Sequence, residues 1–213
     1  MEQKLQIQQL ELDVRNNNIE KIQDLIINCT SDDLKNVRIT YDLDGSVIGD
    51  LLPEQKSVNL IDLMVGRYPI KNGDRTNVVR TELYKKYAPM KVFPGEKNFN
   101  PHYLHLLISL EYDFLVLNEN LRFVEYQAGG MSNSMLKQYK NSPNSFLETR
   151  KLYLSFPDAS LKFKFRHSIH LVSSCILAER FREVLKCSPC KGITIMAIPL
   201  GICLACYINL KEK

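Results

Sequence analysis

Gly73-Asp-Arg-Thr-Asn-Val-Val-Arg-Thr-Glu-Leu83 and, further on, Glu125-Tyr-Gln-Ala-Gly-Gly-Met-Ser-Asn133 are the two stretches on which the fold turns. In the first, Val78-Val79-Arg80-Thr81 reads as a strand that runs into a short helix over 82–87. In the second, a strand over 121–126 ends on a carboxylate and an aromatic ring, Gly129-Gly130 permits close backbone approach, and a helical pattern begins at Ser132. A junction of this kind aims backbone N–H groups and a helix N-terminus at a polar or anionic ligand.

Working outward, 113–118 reads as a further strand and 101–111 as a buried helix with Leu104, Leu107 and Ile108 on one face. Between these elements lie a Pro94-Gly-Glu-Lys97 turn, followed by Asn98-Phe-Asn-Pro-His102, and an Asn118-Glu119 step. Upstream, 3–28 reads as helix broken at Asn16–Asn18. Residues 37–41 read as a strand returning through the Leu43-Asp44-Gly45 turn, because Asp-Gly supplies the positive φ of a tight hairpin. Residues 60–65 form a short apolar segment. After Pro143 the pattern is helical over 145–156 and again over 160–186.

The chain carries 28 Lys and Arg, 24 Asp and Glu and 45% hydrophobic residues in 213 positions, enough to bury a core of one or two domains. Charge is uneven. Between Leu161 and Lys213 there are nine Lys and Arg against three Glu. A near-neutral body with a basic, apolar tail suits an anionic membrane surface, and no basic stripe interleaved with aromatics points to nucleic acid. The opening Met1-Glu-Gln-Lys-Leu segment lacks an apolar leader core, which places the bulk in the cytoplasm. Gly192–Leu210 is 19 residues without a charge, about the minimum for a bilayer span, with Pro199 and Gly201 as expected kinks. Residues 161–186 interleave apolar and basic groups in the manner of an interfacial helix. The competing reading packs both segments on the body. Cys187/Cys190 and Cys203/Cys206 have zinc-site spacing, but the second pair lies in membrane-like sequence without the polar residues of a zinc ribbon.

Taken in order, Gly73–Leu83, Pro94–Lys97, Asn118-Glu119 and Glu125–Asn133 resemble the acceptor-side half of a family 2 glycosyltransferase, over roughly residues 19–190. The resemblance implies an α/β fold: a partial mixed sheet of the glycosyltransferase A type, with a helical, membrane-apposed tail. It divides the chain into an N-terminal helical segment (1–35), the acceptor-side part (36–157) and the tail (158–213). The implied activity is sugar transfer from a nucleotide-sugar donor to a polysaccharide or lipid-linked acceptor in cell-envelope synthesis, at the inner face of the cell membrane. Asp74 and Arg80 are then expected at the sugar or phosphate. Glu125, Tyr126, Gly129, Gly130, Met131, Ser132 and Asn133 are expected at the acceptor mouth.

An inverting transfer needs a base for the acceptor hydroxyl. The family carries a carboxylate shortly after its Gly-Glu-Lys; here His102 stands nearest that position, and Glu96 is the nearest carboxylate. A divalent Mg or Mn ion is expected for the complete enzyme. Asp42-Leu-Asp44 has the Asp-x-Asp pattern but sits in a hairpin turn rather than after a buried strand, so no ligands are assigned. Only 72 residues precede Gly73, fewer than the donor-binding half occupies. The chain is therefore expected to be a truncated form, without stand-alone transfer. Two alternatives remain open: a non-catalytic interaction module derived from this fold, and a zinc-binding membrane adaptor using the four late cysteines.

Overall fold

The computed structural model describes residues 34–37, 49–70, 76–118, 130 and 134–212, with backbone alone over 34–37 and at Thr76 and Leu117. The expected helix over 3–28, the Asp44-Gly45 hairpin and the strand over 121–126 lie outside the described residues. The chain divides into two compact units, Met1–Lys86 with Leu107–Tyr126, and Tyr87–Leu106 with Gln127–Lys213.

The first unit is built on a four-stranded sheet. Its strands are β1 (Leu34–Val37), β2 (Ser57–Val58), β3 (Thr76–Val78) and β4 (Phe114–Leu117), in the order β2-β4-β1-β3. Strand β4 runs parallel to β1, with Leu34 opposite Phe114 and Val37 opposite Leu117. The β1–β3 and β2–β4 pairs are antiparallel. The sheet is thus mixed, and together with the helices it gives the α/β class. The apolar Phe-Leu-Val-Leu run of β4 occupies an inner position in the sheet, with Phe114 fully buried. Of the strand expected at 37–41, Val37 is described, in β1 opposite Leu117, and 38–41 lie outside the described residues.

Two short helices, α1 (Leu60–Val65) and α2 (Thr81–Tyr87), flank these strands in sequence. Asn59 starts α1: its Oδ1 accepts from the Ile61 amide (2.9 Å) and its Nδ2 donates to the Ser109 carbonyl (2.8 Å). Gly66 ends it at φ 83°, where only glycine is unstrained. Asn118 serves the sheet: its Oδ1 accepts from the Leu52 amide (3.0 Å) and its Nδ2 donates to the Leu52 carbonyl (2.9 Å), as a strand backbone would. Helix α3 (His102–Ser109) contributes residues to both units.

The second unit is helical. It contains α4 (Met135–Asn141), α5 (Pro143–Leu154), α6 (Leu161–Leu177), a 3₁₀ turn (Phe181–Glu183), α7 (Val184–Cys187) and α8 (Lys191–Lys211). Leu147 and Leu154 of α5, Leu171, Val172 and Cys175 of α6 and Val184 of α7 form one buried cluster, so the expected boundary at 157/158 falls inside this unit.

The single helix expected over 160–186 is broken. Glu179 takes a left-handed φ of 59° and the Arg180 amide donates back to the Cys175 carbonyl (2.7 Å), the six-residue closure that terminates helices. Nor does α8 stop at Pro199; it runs continuously through Pro199 and Gly201.

The packed face of α8 is mostly small: Thr194, Ala197, Gly201 and Ala205 recur at helical spacing and are buried, with the larger Ile208 buried at its end and Ile198 packed against the core cluster. Small residues at this spacing let two backbones approach closely. A Cβ placed on Gly201 would lie 2.4 Å from Val172 Cβ. A buried hydroxyl chain, Ser188 Oγ to Thr194 Oγ1 (2.6 Å) and Thr194 Oγ1 to Ser168 Oγ (3.1 Å), ties the start of α8 to α6.

Candidate functional site

Gly95 supplies the left-handed φ (79°) of the Pro94-Gly95 turn, and the Glu96 amide closes it on the Phe93 carbonyl (3.1 Å). The turn delivers Glu96 to the N-terminus of α5. There Oε1 accepts from the Asn144 amide (2.7 Å) and its Nδ2 (2.9 Å), while Oε2 accepts from the Ser145 amide (2.8 Å) and its Oγ (2.5 Å). Four donors on two oxygens saturate the carboxylate. Pro143 at the first helical position has no N–H, and Ser142 makes no side-chain cap, so Glu96 takes the capping role from outside the helix.

The same segment is fastened on either side. Lys91 pairs with Glu148, and Asn98 bonds the Gln138 side chain and the Ser142 hydroxyl. Glu148 is partly desolvated, which raises its pKa, but the hydrogen bond and charge of Lys91, joined by Lys151, outweigh this and hold it below the ordinary carboxylate value. Residues 91–98 thus form a strap across α4 and α5.

His102 opens α3, its amide donating to the Asn100 Oδ1 (2.9 Å), and its ring lies 6.1 Å from that of His105. Burial pushes the His105 pKa down. Glu96 is not hydrogen-bonded to His102; its partners are Asn144 and Ser145. Arg80 stands just before α2 in the first unit, its carbonyl accepting from the Tyr84 amide (3.0 Å). The Gly130 carbonyl accepts from Ser134 Oγ (3.2 Å), one residue before α4. Asp74, Glu125, Tyr126, Gly129, Met131, Ser132 and Asn133 lie outside the described residues, as do Asp42 and Asp44.

The cysteines do not make one zinc site. Cys190 precedes α8 whereas Cys203 and Cys206 lie far along it. Thirteen residues of helix separate Cys190 from Cys203 by about 20 Å, and sulfurs on one zinc stand about 4 Å apart. The Cys190 thiol donates instead to the Leu154 carbonyl (3.4 Å), and burial beside Cys187 pushes the Cys175 thiol up to about 12. Among the described residues no group of three or more His, Cys, Asp or Glu side chains is placed to hold a metal.

The outer face of α8 is the site's other surface. Ile195, Met196, Leu200, Ile202, Tyr207 and Leu210 are exposed along a helix long and apolar enough to cross a membrane. Sequence reasoning found this segment and its lack of charge, but not which face is covered.

Sequence reasoning missed a third group, Tyr139, Arg150, His167 and His170, which α4, α5 and α6 bring together. The His167/His170 spacing of three on an apolar helix was its one visible sign; Arg150 joins them only through packing. No family model, curated protein or solved structure matches this chain.

Proposed function

We propose that this chain works at an anionic membrane surface as the acceptor-side part of a sugar-transferring enzyme of the family 2 glycosyltransferase type, with a polysaccharide or lipid-linked glycan as acceptor. The observation that carries the membrane half is α8. Its packed stripe is small and its bare face is large and apolar. At 1.5 Å per residue its 21 residues extend about 31 Å, matching a hydrocarbon core of about 30 Å. Exposed Lys162, Arg166, Arg182, Lys186 and Lys191 supply the complementary charge for the anionic cytoplasmic leaflet.

The sugar-transfer half rests on the ordered motifs from Gly73 to Asn133. Within it the base is assigned to His102, because the Glu96 carboxylate already accepts four hydrogen bonds at the α5 cap. No step is assigned to the Mg or Mn ion of the complete enzyme, since its ligands are not among the described residues. The saturation of Glu96 also favours a second reading, a non-catalytic interaction module that keeps the acceptor-side shape.

Co-sedimentation tests the membrane half. The wild-type chain should pellet with phosphatidylglycerol-containing vesicles, and Met196→Glu with Leu200→Glu should release it while leaving far-ultraviolet circular dichroism unchanged. Equal recovery of both proteins in the supernatant would sink this reading. For the sugar half, saturation-transfer NMR should show binding to glycan fragments without turnover of nucleotide sugars. Metal-dependent nucleotide release by the purified chain would overturn the acceptor-side assignment, and no glycan binding would leave the interaction module standing.

A further inference from the structure

Among the described residues Arg150 is a guanidinium without a counter-ion: no Asp or Glu pairs with it, and Glu148, two residues earlier, is engaged by Lys91 and Lys151. Its Nη1 donates to His167 Nδ1 (3.1 Å) and its Nη2 reaches the Tyr139 hydroxyl at 3.5 Å. Its Nε–H is buried with no acceptor. The Tyr153 ring covers the group at 5.2 Å, which offsets part of the charge but accepts no conventional hydrogen bond.

His167 is only 8% exposed, between the Phe163 ring (4.1 Å) and the Tyr153 ring (4.9 Å). Because its Nδ1 faces a guanidinium donor, the ring is the neutral tautomer with its proton on Nε2. His170 stands 6.5 Å away and Arg166 lies beside both. Desolvation first, then the charge of Arg150, disfavours protonation of both rings, and no carboxylate opposes this. Three helices therefore converge two arginines, two histidines and a phenol, with no acid placed beside them among the described residues. Arg150 is half-buried, and a partly desolvated charge left so costs free energy unless something completes it.

We propose that Arg150, His167 and Tyr139, with His170 and Arg166 at the margin, form a binding site for a phosphate group. A tetrahedral oxyanion takes two donors from one planar guanidinium fork; because the Nε–H has no exposed surface, the Arg150 side chain must shift to offer it. A bound phosphate supplies the missing negative charge, and either ring, once protonated, becomes a further donor to it. The inference is independent of the sugar-transfer reading. The phosphate belongs either to a free ion or ester or to a lipid headgroup, and the two differ only in the experiment.

The test is histidine-ring NMR on the full ¹⁵N-labelled chain, titrated with pH in chloride and in inorganic phosphate at equal ionic strength. Phosphate should raise the apparent pKa of His167 and His170 by about one unit or more, and Arg150→Met should weaken phosphate binding by about ten-fold or more. Arg150→Lys, which keeps charge and loses the fork, should fall between the two. A parallel arm uses phosphatidylcholine vesicles with and without phosphatidic acid. A shift seen with inorganic phosphate identifies a free-phosphate site, and one seen only with phosphatidic acid identifies a headgroup site. If neither ligand moves the His167 and His170 signals of the wild-type chain, or if Arg150→Met responds as the wild type does, the inference is overturned.

Discussion

Replacing Gly201 by alanine tests how closely α8 and α6 are packed. In an isolated helix the change is favourable by about 1 kcal/mol, because alanine loses less backbone entropy than glycine. Here the added methyl meets Val172 Cβ at 2.4 Å and Val172 Cγ1 at 2.5 Å, with the Ile169 carbonyl at 3.0 Å. Carbon atoms rest at about 3.5–4 Å, so the shortfall exceeds an ångström. Val172 cannot turn aside: it is fully buried in the unit's core, and a β-branched side chain in a helix has one favoured rotamer. The helices must separate, at a cost of about 1–3 kcal/mol. A shortfall of this size belongs in the upper part of that range, about 2–3 kcal/mol, so after the propensity gain we expect a net loss of about 1–2 kcal/mol.

Gly192, on the same helix, is the matched control. Nothing lies within 4 Å of a Cβ built there, so Gly192→Ala should stabilise the protein by up to about 1 kcal/mol. Urea denaturation followed by far-ultraviolet circular dichroism reads both variants. The reasoning fails if the two alanines shift the midpoint in the same direction, or if Gly201→Ala is neutral.

Glu96→Gln leaves one amide oxygen for four donors and removes a charge from the N-terminus of α5, which should destabilise by about 1–2 kcal/mol in the same assay. A variant as stable as the wild type would show that the cap contributes nothing and would restore Glu96 as a candidate base. His167 and His170, held neutral with pKa values near 3 and 4, bind fewer protons folded than unfolded. Their contribution is complete above the ordinary histidine value of about 6.5 and is lost as pH falls toward 3. The urea midpoint should therefore drop between about pH 6.5 and 4, and His167→Gln should flatten that drop; an unchanged slope would remove His167 as its source.

The sequence by itself determined what neighbouring residues decide. The strand-to-helix passage read at 78–87 and found at 76–87, the helix read over 101–111 and found at His102–Ser109, and the uncharged length of α8 are legible, because side-chain periodicity acts over a few positions. Only the tertiary structure decided the rest. The packed face of α8 is its small-residue stripe, a choice that depends on Val172 across the interface and not on hydropathy. The helix after Ser160 ends at Leu177 because the chain turns back onto Cys175, although the apolar pattern continues. Glu96 became a cap because its donors stand 48 and 49 residues away in sequence. Arg150 met His167 because α5 packs on α6. Pairings of this kind are set by which surfaces exclude water together, and no local pattern records them.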